Sequence, residues 1–226
     1  MTRDAEEVSV MAGAVRLHGL LRVPPNERGI VLFAHGSGSG RLSPRNTYVA
    51  EQLGKAGFAT LLFDLLTMEE EEIDETTAEL RFDIPLLTER LIATTHWTLE
   101  QRRLKNLPLS YFGASTGAAA ALAAAARVPA VAAVVSRGGR PDLAGAALPR
   151  VRAATLLIVG GNDDQVLALN KEALEQLNCE AQLSVVPGAT HLFVEPGALE
   201  QVASLAAAWL TRHASLPPAA HPHATE

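Results

Sequence analysis

A chain of 226 residues with a net charge of −6 can build one sizeable core and is short for two. Its acidic balance argues against a nucleic-acid partner, because nothing offsets phosphate repulsion. Apolar residues make up 48% and charged residues 19%, the balance of a soluble globular domain. The longest apolar region, 118–135, is mostly alanine and is broken by Arg127 and Pro129, which argues against a membrane span. Cys179 is the only cysteine, so an internal disulfide is excluded. With no apolar signal core in Met1-Thr2-Arg3-Asp4-Ala5-Glu6-Glu7, a cytoplasmic location is expected.

In chain order, 8–11 and 15–23 read as a hairpin around a turn at Ala12-Gly13, ended by Pro24-Pro25-Asn26. Short apolar runs then alternate with longer amphipathic segments. The runs 29–34, 58–63, 109–112, 130–135, 155–159 and 182–186 read as strands, and 46–56, 82–103, 116–127, 166–177 and 199–212 as helices. The runs lack the alternation of a half-exposed strand, so buried parallel strands flanked by helices are expected. The acidic run 69–72 with Asp74 and Glu75 reads as a solvated loop. Cys179, between a helix and a strand with no partner pattern around it, reads as structural. A single domain is expected over 1–213, followed by a disordered tail over 214–226 whose His221 and His223 read as tail residues.

The strongest chemical signal is Gly113-Ala114-Ser115-Thr116-Gly117, a G-x-S-x-G pattern where a strand ends and an alanine-rich helix begins. Such a serine stands on a sharp turn with its hydroxyl above the sheet, and the glycines leave room for the turn. A second element, Val31 to Ala34 followed by His35-Gly36-Ser37-Gly38-Ser39-Gly40, is a strand entering a glycine-rich loop. It carries neither a dinucleotide fingerprint nor a P-loop lysine. Its backbone N–H groups suit an oxyanion instead, with the amides of Ser37 and Thr116 as the two donors. His35, just before the loop, is read as orienting backbone.

An acid and then a histidine should follow at later strand ends. The strand 155–159 runs into Gly160-Gly161-Asn162-Asp163-Asp164, and 182–186 runs into Pro187-Gly188-Ala189-Thr190-His191. His191 would take the serine proton and a carboxylate would hold its tautomer. The pattern of residues alone leaves Asp163 and Asp164 as rival acids. His18, His96 and His213 follow no such strand end and read as surface or packing residues. Arg137 and Arg140 follow a strand, and Arg41 and Arg45 follow the glycine-rich loop. They suit a carboxylate or phosphate on a substrate, Arg41 and Arg137 foremost, or else ion pairs with acids such as Asp64 and Asp142.

These motifs make the chain resemble the α/β-hydrolase superfamily, and within it the dienelactone-hydrolase-like proteins. The resemblance runs over residues 8–213, carried by His35-Gly36-Ser37-Gly38, the turn at Ser115, Gly160 through Val166, and Gly188 through His191. It implies an eight-stranded, mostly parallel sheet with helices on both faces, and the short stretch between the strand ending near Ser136 and the one beginning near Ala153 leaves room for a loop but no lid domain. It also implies Asp163 as the acid, from the Gly-x-Asp-x-x-Val pattern of Gly161 to Val166. Dienelactone hydrolases use a cysteine nucleophile where this chain has Ser115. The expected activity is therefore hydrolysis of a small carboxylic ester or lactone through an acyl-enzyme, without metal or organic cofactor. An acyltransferase, thioesterase or perhydrolase would use the same residues, and a non-catalytic binding domain is the alternative outside catalysis. Oligomeric state is open.

Overall fold

The computed structural model describes residues 5–214. Strands β1 (Glu6–Ala12) and β2 (Val15–Arg22) form the expected antiparallel hairpin. Ala12 still pairs with Val15, so the turn is Gly13-Ala14 rather than Ala12-Gly13, with Gly13 at φ +65°. The remaining strands are β3 (Gly29–Ala34), β4 (Phe58–Phe63), β5 (Leu109–Ala114), β6 (Val131–Arg137), β7 (Ala154–Gly160) and β8 (Ala181–Val186). They join one eight-stranded sheet in the order β1-β2-β4-β3-β5-β6-β7-β8. Only the β1–β2 and β2–β4 pairings are antiparallel.

Strands β3, β4 and β5 are buried along their whole length, as their largely apolar runs predict. Strand β8 closes the sheet at one edge and stays largely accessible, so the expectation of full burial fails there. Successive residues of each strand face opposite sides. Ile30, Leu32, Tyr111, Val134 and Leu157 pack beneath α3 (Ile84–Glu100), α4 (Thr116–Ala125) and α5 (Asp164–Gln176). Val31, Phe33, Phe112, Val135 and Ile158 pack beneath α1 (Pro44–Lys55) and α6 (Ala198–His213). This is the α/β-hydrolase architecture. Between β6 and β7 lies only a 3-10 segment, Pro141–Arg150, packed against α4, with no lid domain. Among the described residues no helix is long and apolar enough to cross a membrane.

The acidic run is not a loop. It forms α2 (Met68–Thr77), started by a capping box in which Thr67 Oγ1 accepts from the Glu70 N–H (3.2 Å) and Glu70 Oε2 accepts from the Thr67 N–H (2.8 Å). Three glutamates in its first turn complement the helix dipole. Two of the acids bind the body: Glu70 accepts from Arg90 at 2.6 Å, and buried Asp74 accepts from Arg81 Nε at 2.6 Å. The helix expected from 82 begins at Ile84, where the Asp83 carboxylate caps the Leu86 N–H at 3.0 Å, and Leu80–Phe82 is a 3-10 turn. Ala214, assigned to the tail, is buried and donates its N–H to Leu210 at 2.8 Å. The rest of the expected tail, with His221 and His223, lies outside the described residues.

Candidate active site

Ser115 joins β5 directly to α4 with φ +51° and ψ −121°, a conformation that costs an L residue on the order of 1–3 kcal/mol and persists only where packing imposes it. The packing is visible at the flanking glycines. A Cβ on Gly113 would stand 2.4 Å from Ala118 Cα, and one on Gly117 would stand 2.2 Å from the Ala34 carbonyl oxygen. Helix α4 thus lies against the ends of β3 and β5 at distances only glycine permits. The turn is held from the other side as well, since the Ser115 N–H donates to Arg137 O (3.2 Å) and the Arg140 N–H donates to Ser115 O (3.1 Å).

The loop after β3 faces this turn. A Cβ on Gly36 would meet Ser115 Cβ at 3.0 Å, and the Ser37 and Thr116 hydroxyls hydrogen bond at 3.2 Å. Among the described residues, neither the Ser37 nor the Thr116 amide has an internal acceptor. Both are therefore left to bind something else. His35 supports the loop as expected: it is buried, its Nδ1–H donates to Gly36 O (3.0 Å), and its Nε2 accepts from the Leu65 N–H (2.9 Å). Burial holds its pKa below the usual imidazole value, partly countered by the Gly36 hydrogen bond and the Asp64 charge.

The loops after β7 and β8 are joined to each other. The Asn162 N–H donates to Ala189 O (2.9 Å), and a Cβ on Gly160 would stand 2.4 Å from that same oxygen. This contact sets Asp163 against His191, and His191 Nδ1 donates to Asp163 Oδ2 at 2.7 Å. A carboxylate accepts only, so the proton lies on Nδ1 and Nε2 is left as the acceptor. Asp164 is exposed and opens α5. Segment 138–140 links the two halves of the site. Its Arg140 N–H holds Ser115 O, while a Cβ on Gly138 (φ +51°) would lie 3.1 Å from His191 O.

The arginines divide. Arg41 forms an ion pair with Asp64, and its own N–H donates to Asp64 Oδ1 at 2.7 Å. Arg140 binds Asp142 through two parallel bonds of 2.8 and 2.7 Å. Those two follow the ion-pair reading, although Arg41 also borders a cavity of about 290 Å³ that reaches from Ser37 and Thr116 to Glu71 and Arg81. Arg137 is buried in β6, and burial, then the neighbouring Arg45 charge, lowers its pKa to about 10.

Asn170 was not singled out by its sequence. It is buried in α5 and donates to Gly139 O (2.9 Å) and Val166 O (2.8 Å), pinning segment 138–140. Its first partner lies 31 positions away, so no local pattern marks it. His18 and His96 are exposed, and the His213 ring packs on Trp209 with centroids 4.2 Å apart. Half-buried Cys179 sits beside Thr155, its thiol pKa raised by burial.

The chain is similar to several known proteins. Two proteins from strains of Mycobacterium tuberculosis, both named for phosphoribosyl transfer, are 61% identical over 210 residues. The match covers 92% of this chain but 46% of theirs, so the chain spans about half the length of these curated relatives. The crystal structure of a dienelactone hydrolase from Anabaena variabilis is 58% identical and superposes with a TM-score of 0.91, covering 94% of this chain and 100% of that one. A dienelactone hydrolase-like promiscuous phosphotriesterase from metagenomic libraries, at 18% identity, shares the fold with a TM-score of 0.77, covering 94% of this chain and 99% of that one. Residues 17–216 match the model of the dienelactone hydrolase family, and the chain belongs to that family.

Proposed function

We propose that the chain hydrolyses a carboxylic ester or lactone of a small substrate, with Ser115, His191 and Asp163 as a catalytic triad. The observation that carries this reading is the 2.7 Å bond from His191 Nδ1 to Asp163; Ser115 is held separately at φ +51° between β5 and α4. His191 Nε2 takes the Ser115 proton as Oγ adds to the ester carbonyl. The carbonyl oxygen becomes an oxyanion held by the Ser37 and Thr116 amides. The imidazolium then protonates the departing alcohol, leaving an acyl-serine. Water, deprotonated by the same imidazole, adds to that acyl carbon, and Ser115 leaves with the proton as the acid is released. Asp163 orients the ring and stabilises its cation throughout.

The site's cover supports short acyl groups. With no lid domain between β6 and β7, and with charged Arg41, Asp64, Glu71 and Arg81 on the cavity wall, a long chain would bury little apolar surface. Each enclosed CH₂ would add about 0.8 kcal/mol at most. The name of the curated relatives suggests phosphoribosyl transfer, but it belongs to proteins of which the match covers 46%. Ester hydrolysis rests on groups inside the matched segment.

The test pairs labelling with turnover. A fluorophosphonate should label Ser115 and stop hydrolysis of 4-nitrophenyl acetate and butyrate, and Ser115→Ala should lose both. Labelling that survives in that variant, or maps to Ser37 or Ser39, would remove the assignment. Catalytic efficiency should be flat or falling beyond about six acyl carbons.

A further inference from the structure

Arg137 is 8% exposed, and its Nε and Nη1 are enclosed without a hydrogen-bond partner. Arg45, half-buried in the first turn of α1, also has an enclosed and unpartnered Nε. Among the described residues neither guanidinium enters an ion pair. Arg41, Arg81, Arg90 and Arg140 each have a carboxylate. The influences on Arg137 are burial and the like charge of Arg45, and both oppose its ionisation. A packing role would be served better by an apolar side chain of similar length, because an unpaired buried charge is strongly unfavourable. The arrangement makes sense when an anion completes it.

The backbone of Arg137 adjoins the turn that carries Ser115. Arg137 is in register with Ala114, the residue before Ser115, and its carbonyl accepts the Ser115 N–H. Strand alternation puts its side chain on the face of Ala133 and Val135, the α1 and α6 face where Arg45 lies. The cavity walled by Leu65, Leu66 and Leu87 belongs to the other face. Arg45, unlike Arg137, keeps accessible surface.

We infer that Arg137 and Arg45 form a subsite for an anionic oxyacid group, carboxylate or phosphate, on the substrate of Ser115. As a substrate subsite it rests on the ester-hydrolase reading. As an anion site it stands on the two guanidiniums alone.

The experiment uses the whole chain and three 4-nitrophenyl esters of equal acyl length, ending in a methyl, a carboxylate or a phosphate. One or both anionic esters should be preferred over the neutral one by roughly tenfold to a hundredfold in kcat/KM, the range of a charge-assisted contact. Arg45→Gln and Arg137→Gln should each collapse that ratio, chiefly through KM, and Arg45→Lys should restore part of it. Whichever anionic ester shows the preference identifies the source. In parallel, millimolar inorganic phosphate and succinate should raise the melting temperature of the unmodified chain more than equal ionic strength of sodium chloride does, and Arg45→Gln should abolish the difference. This variant sits in a half-exposed position and folds even where Arg137→Gln does not. Arg45→Glu supplies the anion from within, so it should raise the melting temperature and remove the response to phosphate and succinate. Equal turnover of neutral and anionic esters, with no anion-specific stabilisation, would overturn the inference. If no ester is cleaved while the anion-specific stabilisation persists and depends on Arg45, the anion site stands and the hydrolase reading falls.

Discussion

Asp64 and Asp163 both sit just past the C-terminal end of a strand, β4 and β7, and each holds a basic side chain through a hydrogen bond. Their partners set them apart. Asp64 holds the Arg41 guanidinium and the Arg41 N–H, a permanent charge and a piece of backbone, so its work is to fix the loop after β3. Asp163 holds an imidazole whose second nitrogen is left as an acceptor. The same carboxylate geometry is structural when the partner cannot change its charge and suits proton transfer when it can.

The largest effect that could break this comparison lies at Asp163. Asp163→Asn should lower turnover of a short ester on the order of 10⁴-fold, because the amide favours the wrong imidazole tautomer. The fold should persist by circular dichroism. Activity within tenfold of the parent would remove Asp163 from the mechanism.

Asp64→Asn should act on stability first. It leaves a guanidinium half-paired beside the loop after β3, at a cost of about 2 kcal/mol in urea unfolding. Turnover should fall far less than with Asp163→Asn. A turnover loss as large as the Asp163 one, at unchanged stability, would mean that Asp64 belongs to the chemistry.

A third outcome concerns pH. His35 ties the loops after β3 and β4 together in its neutral form, and burial lowers its folded pKa below the ordinary 6.5. The unfolded chain binds that proton more readily. His35 therefore contributes stability present above pH 6.5 and lost as pH falls toward the depressed folded value, at no more than about 1.4 kcal/mol per pH unit. Urea midpoints at pH 7.5 and 5.5 should differ more for the parent than for His35→Gln. Equal drops would place the acid sensitivity elsewhere.

The smallest expected effect is Asp164→Asn. Its exposed side chain at the start of α5 should leave turnover within about twofold, costing at most a few tenths of a kcal/mol of helix-dipole stabilisation. Set against Asp163→Asn, it resolves two adjacent carboxylates kinetically.

Local pattern was enough for the eight strands and five of the six α-helices among the described residues, for the turn at Ser115, and for the loop positions of Ser37, Asp163 and His191. Each of those rests on neighbours within a few residues: apolar runs, glycines around a serine, a loop after a strand. The segment 68–77 reads wrongly as a loop, because the run of like charges masks the capping pair of Thr67 and Glu70. What only the tertiary structure decided involves partners far apart in sequence. Arg41 meets Asp64 across 23 positions, Asn170 meets Gly139 across 31, and Asp163 meets His191 across 28. Four arginines near the C-terminal edge look alike as residues. That, among the described residues, Arg41 and Arg140 have carboxylates while Arg45 and Arg137 have none follows from strand register and helix placement, because pairing depends on where a side chain ends and the sequence specifies only where it begins.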